Sequence, residues 1–177
     1  MELLKPIGHI KRRPWTSGQL RGETLFCVYR EDGHPADYPW MWAASAARDA
    51  GYTPDTIHTM LTHITALELW AIYRGIDFYS AMIEGECLNL QEVADLESFL
   101  HYRVSDLRAL LRVERVNERR FLEQCLTHRA VATSSVVQRQ ITATNYLTWI
   151  GEFGNRLIAL NRTGSQKLAR VRTRSFS

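Results

Sequence analysis

TPDTIHTMLTHITALELWAIYRG, running from Thr53 to Gly75, carries the clearest structural signal in the chain. It is a helix by every local signal. Thr53 stands where an N-cap belongs, and Pro54 takes the first helical position, where a missing N–H costs nothing. Gly75 falls just past the last periodic residue, as a C′ glycine does. Ile57, Met60, Leu61, Ile64, Leu67, Trp70 and Ala71 recur at spacings of three and four, which makes one apolar stripe. The other face carries Asp55, His58, Thr59, Thr62, His63 and Thr65. Solvated faces are ordinarily rich in Glu and Lys. A face of hydroxyls and imidazoles suits short hydrogen bonds to a partner.

The same peculiarity recurs in TSSVVQRQITATNYLTWI, Thr133 to Ile150. Thr133 or Ser134 can cap this helix, and Val137, Ile141, Thr144, Leu147 and Ile150 lie on or near one face, with Val136 and Ala143 beside it. The remaining side shows Ser135, Gln138, Arg139, Thr142 and Asn145. Gln, Asn and Arg can read base edges through paired hydrogen bonds, and Ser and Thr can hold phosphates.

Residues 1–39 read as a basic arm with a possible short strand. Lys11, Arg12 and Arg13 precede a turn-rich run of Pro14, Thr16, Ser17 and Gly18. TLFCVYR, Thr24 to Arg30, favours a short strand, and Glu31 to Pro39 favours a loop. Trp40 to Ala50 favours a helix ending at Gly51, with its tryptophans on the core. Asn89 can cap a helix from Leu90 to about Tyr102, whose outer face carries Glu92, Asp95 and Glu97. Ser105 to His128 reads as one or two helices with arginines and glutamates at pairing distance. Residues 40–160 form the expected helical domain, interrupted near Gly151 and Gly154. Residues 161–177 read as a basic tail or the start of a linker.

The chain has 177 residues, enough for one domain, with 45% hydrophobic and 10% aromatic content. No run is long enough to span a membrane, and the N-terminus lacks a signal-peptide core, so a cytoplasmic protein is expected. Cys27, Cys87 and Cys125 are odd in number and far apart, which favours free thiols over a metal site. No cofactor or metal is expected. No nucleophile elbow, phosphate loop or dinucleotide fingerprint is present. Net charge is +3 but unevenly spread: +1 over residues 1–52, −7 over 53–102 and +9 over 103–177. The basic second half suggests a polyanionic partner.

Residues 40–150 resemble the N-terminal core-binding domain, with its SAM-like fold, of tyrosine-recombinase integrases. Thr53, Trp70, Gly75, Ile76 and Asp77 match that family's first helix and its close. Arg139, Tyr146, Leu147 and Trp149 match its last helix. The resemblance implies a mainly α, compact orthogonal bundle of four to six helices that clamps one face of double-stranded DNA. It also implies self-association on DNA and a separate catalytic domain, whose residues cannot be placed in this chain. The contacts expected are His58, Thr59, Thr62, His63, Ser135, Gln138, Arg139 and Thr142 from the two helices, with Lys11, Arg12 and Arg13 gripping phosphate or the minor groove. The alternative is a helical protein-interaction module that uses the acidic surface of residues 77–97.

Overall fold

The helix read from Thr53 to Gly75 is the axis of the molecule. In the computed structural model it spans Pro54–Arg74 (α2), with the Thr53 hydroxyl accepting from the Thr56 N–H at 3.3 Å. Gly75 ends it at φ 68°, a left-handed conformation that a side chain would strain. The first half of α2 buries one stripe. From Ile64 to Ala71 every residue is buried, so the second half is enclosed on all sides.

The structure describes residues 5–14, 23–86 and 88–174, apart from the side chains of 115, 128, 129 and 157–174. It is mainly helical with a short N-terminal hairpin. β1 (Ile7–Pro14) and β2 (Thr24–Arg30) pair antiparallel. α1 (Asp37–Trp42) passes directly into a π turn at Ala43–Ala47. After α2 come α3 (Phe78–Glu84), α4 (Leu90–Phe99), α5 (Val104–Leu110), a single 3-10 turn at Arg115–Asn117, α6 (Glu118–Arg129) and α7 (Thr133–Arg174). α7, α5, α4 and β1 all pack on α2, and α3 packs on α7. Asp77 caps α3, and Asn89 caps α4 in a reciprocal box with Glu92.

Several expectations are corrected. Seven α-helices occur among the described residues, more than the four to six expected. The N-terminal arm has the short-β form expected, and it packs on the bundle: Ile7, Phe26 and Val28 are core residues. A bulge between Ile7 and His9 keeps Ile7 and Ile10 facing inward despite their odd spacing. Gly8 occupies that bulge because a Cβ would lie 3.0 Å from Glu31 backbone atoms. The run 15–22 and Cys87 lie outside the described residues. The helix expected from Trp40 begins at Asp37; Trp42 is buried but Trp40 is exposed. Leu90 and Val93, in the first turn of α4, are exposed.

α7 is continuous. Gly151 and Gly154 do not interrupt it, and residues 161–174 continue the helix. Gly154 is explained by packing. A Cβ there would come within 2.8 Å of Ile83 Cα, so its absence sets how closely α3 crosses α7. No helix among the described residues is long and apolar enough to cross a membrane.

A buried polar chain joins four elements at the centre. Glu68 of α2 is fully buried, and Arg30 Nη1 of β2 donates to its Oε2 at 3.1 Å. Tyr79 of α3 donates to Glu68 Oε1. With that proton committed, the Tyr79 oxygen takes the hydroxyl proton of Tyr146 on α7 across 2.9 Å. Burial pushes the Glu68 carboxyl up, against the downward pull of the Arg30 guanidinium and the Tyr79 hydroxyl.

Glu68→Ala strands the Arg30 guanidinium, and its expected cost is about 3–5 kcal/mol of stability. The paired change Arg30→Met with Glu68→Leu should recover most of that loss, because it removes both charges. Chemical denaturation of the three variants checks this; a loss under about 1 kcal/mol for Glu68→Ala alone would contradict the account.

Candidate nucleic-acid interface

The polar sides of α2 and α7 meet. Asp55, Thr56, Thr59, Met60 and His63 line one wall of a groove of about 450 Å³; Ser134, Ser135, Gln138 and Thr142 line the other. The first turns of both helices stand at the same end, and one turn or two further on His63 Nδ1 meets Thr142 Oγ1 at 3.0 Å. α2 and α7 therefore run side by side in the same direction. Their positive dipole ends stand together at the groove mouth.

Five of the eight expected helical contacts line this groove: Thr59, His63, Ser135, Gln138 and Thr142. Three do not. Arg139 is only 8% exposed. Its Nη1 donates to the carbonyls of Leu100 at 2.8 Å and Tyr102 at 2.5 Å, so it ties α7 to the chain at the end of α4 and is not available to a base. His58 is half-buried and turned toward the Phe26 ring, 6.2 Å between centroids. Thr62 is half-buried, and its hydroxyl donates to the His58 carbonyl at 3.1 Å.

The Arg139 result comes from a rotation of the α7 stripe. Val137 and Ile141, expected inside, are exposed. The buried line is Val136, Arg139, Ala143, Tyr146 and Ile150, one position away. The sequence also passed over Thr56 and Ser134. Thr56 lies one turn before Thr59 on the same face, so the helical period could have added it.

Hydroxyl bookkeeping changes the chemistry of the groove. Thr59 donates to the Asp55 carbonyl at 3.0 Å and Thr142 to the Gln138 carbonyl at 2.8 Å. Each hydroxyl has one proton, so both oxygens are left as acceptors: that of Thr59 is exposed to the groove, while that of the buried Thr142 faces His63. Because the Thr142 proton is committed, His63 Nδ1 carries the hydrogen of their shared bond. Nε2 is left as a lone pair with no hydrogen-bond partner among the described residues. Burial, aided by Arg139, lowers the His63 pKa to about 4, so the ring is neutral at physiological pH.

Lys11, Arg12 and Arg13 are exposed on β1. Strand alternation separates them. Arg12 is on the α2 side and pairs with Asp55 at the groove mouth at 2.6 Å. Lys11 is on the opposite face, with its Nζ 5.3 Å from the centre of the Tyr29 ring, and Arg13 shares that parity.

No protein-family model, curated protein or solved structure matches the chain.

Arg139→Ala should cost about 2–4 kcal/mol of stability, since it leaves two buried carbonyls without a charged donor. Denaturant unfolding is the measurement, and an unchanged midpoint would refute the structural role. For His63 the folded-state pKa lies below the ordinary 6.5. The unfolded chain therefore takes up the proton first, and stability falls as pH drops from about 6.5 to about 4. His63→Gln should remove this part of the acid sensitivity. The gap in melting temperature between wild type and variant should change across that window; a constant gap would show that His63 does not titrate as described.

Proposed function

We propose that this chain binds double-stranded DNA as the non-catalytic core-binding part of a site-specific tyrosine recombinase, in the cytoplasm. The observation that supports the reading most is the parallel placement of α2 and α7. Two polar helix faces, charged only at Asp55, share one groove, and one exposed cation of β1, Arg12, stands at its mouth.

The parts divide the work. Lys11, Arg12 and Arg13 supply the phosphate attraction, which is independent of sequence and sensitive to salt. The groove supplies discrimination. Thr59 Oγ1, the His63 Nε2 lone pair and the Gln138 amide oxygen are acceptors that suit the exocyclic amino groups of adenine or cytosine. Arg139 has no part in reading bases. Its place is to hold the start of α7 against the end of α4.

Binding should be measured by fluorescence anisotropy on duplex DNA across a salt series. Changing Lys11, Arg12 and Arg13 together to Ala should flatten the slope of log affinity against log salt by about 3 units. Gln138→Ala should weaken binding to a selected site by about 1–3 kcal/mol and leave the slope unchanged. Absence of salt-dependent binding by the wild-type chain would end this reading.

A further inference from the structure

On the other side of α7 lies a second groove of about 460 Å³, walled by α7 from Thr144 to Asn155 and by the end of α3 and start of α4. Its floor is apolar, with Met82, Leu88, Val93 and Leu147, and its rim carries Glu86 and Glu152. Val93 is 39% exposed, and the neighbouring Leu90 is 89% exposed. Residues 77–97 hold six carboxylates and no Lys or Arg. Three of them have local tasks. Asp77 caps α3, Glu92 completes the α4 capping box, and Asp95 accepts from Trp70 Nε1 and the Arg74 guanidinium. The side chains of Glu86 and Glu152 form no ion pair or hydrogen bond among the described residues.

The complementary charge is in the same chain. Residues 156–174 contain Arg156, Arg162, Lys167, Arg170, Arg172 and Arg174 and no carboxylate. The α7 dipole favours cations only in its last turn, which accounts for Arg172 and Arg174 but not for the others. Leu157, Leu160, Leu168 and Val171 recur near one side of that stretch, the pattern of an amphipathic helix. It cannot reach the groove in its own molecule. α7 is itself the groove wall up to Asn155, and it continues unbroken to Arg174, roughly 28 Å further along its axis.

We propose that the acid-rimmed groove between α7 and the α3–α4 junction receives the basic end of α7 from a second copy of the chain. This surface lies apart from the α2–α7 groove and does not depend on the DNA reading. Tail-into-groove contact is a head-to-tail interface. It closes as a pair if the two copies exchange tails, or propagates if they do not.

The test is sedimentation velocity of the full, nuclease-treated chain over a concentration series, at about 0.1 M and about 0.5 M salt. Wild type should self-associate, more weakly at the higher salt. The groove reversal Glu86→Lys with Glu152→Lys should weaken association at least about tenfold, as should the tail reversal Arg170→Glu with Arg172→Glu, because each sets like charges together. A chain carrying both reversals should associate again. Circular dichroism melts confirm that each variant is folded. A monomeric wild type overturns the proposal, and so does association that vanishes with nuclease treatment alone. Folded single reversals with undiminished association, or a double reversal that stays monomeric, overturn it as well.

Discussion

The fold depends on a carboxylate that the bundle cannot leave unpaired. Glu68 sits where α2 is enclosed on all sides, so no water can solvate it. A buried pair of this kind adds little net stability over two hydrophobic residues, but breaking it is costly. Its effect is therefore one of specification. Only a packing that brings Arg30 from β2 and Tyr79 from α3 to the same carboxylate is tolerated. Tyr146 extends the requirement to α7. The N-terminal hairpin is thereby locked onto the helices, although Ile7, Phe26 and Val28 supply most of its apolar contact. The longitudinal position of α7 against α2 is set by the same atoms.

That position brings the first turns of α2 and α7 to one end and creates the polar groove. Threonines on both helices then become useful in an indirect way. Their side chains return protons to carbonyls of their own helix, which leaves the Thr59 oxygen exposed to the groove and the Thr142 oxygen free to accept from His63. Parallel neighbouring helices have dipoles that repel side by side, a modest cost near the surface. The His63–Thr142 bond across the helices offsets some of it. So does the continuous apolar contact from Ile57 to Ala71 behind the groove.

Much of this was legible in the residues, and the exceptions share a cause. Caps at Thr53 and Asn89, the strand at Thr24–Arg30 and the axis at α2 follow from local chemistry, which a sequence displays directly. The central role of Glu68 does not. A glutamate within an apolar stripe gives no sign of burial until its partner is known, and Arg30 is 38 residues away. The rotation of α7 has the same origin. An arginine on a mixed face reads as exposed, and only the free carbonyls at the end of α4, 37 and 39 residues earlier, make its burial favourable. Gly154 resembled a helix breaker because propensity is local, whereas its reason, the approach of Ile83, is tertiary.

Asp55 is the groove residue most at odds with a polyanionic partner, and it bears on what kind of recognition the site can perform. Its carboxylate is exposed and paired with an exposed arginine, an interaction worth about 0–1 kcal/mol. A phosphate arriving at β1 can therefore draw Arg12 away at little cost, after which Asp55 repels any further phosphate from the mouth. The same carboxylate accepts from the amino group of a base. Under the proposed DNA binding, backbone contact is thus confined to the strand and base contact to the groove. On the DNA reading, a carboxylate at the junction opposes non-specific binding more than specific binding, because in the non-specific complex nothing donates to it. The neutral, acceptor-rich lining behind it has the same bias. A site assembled this way sacrifices affinity for discrimination.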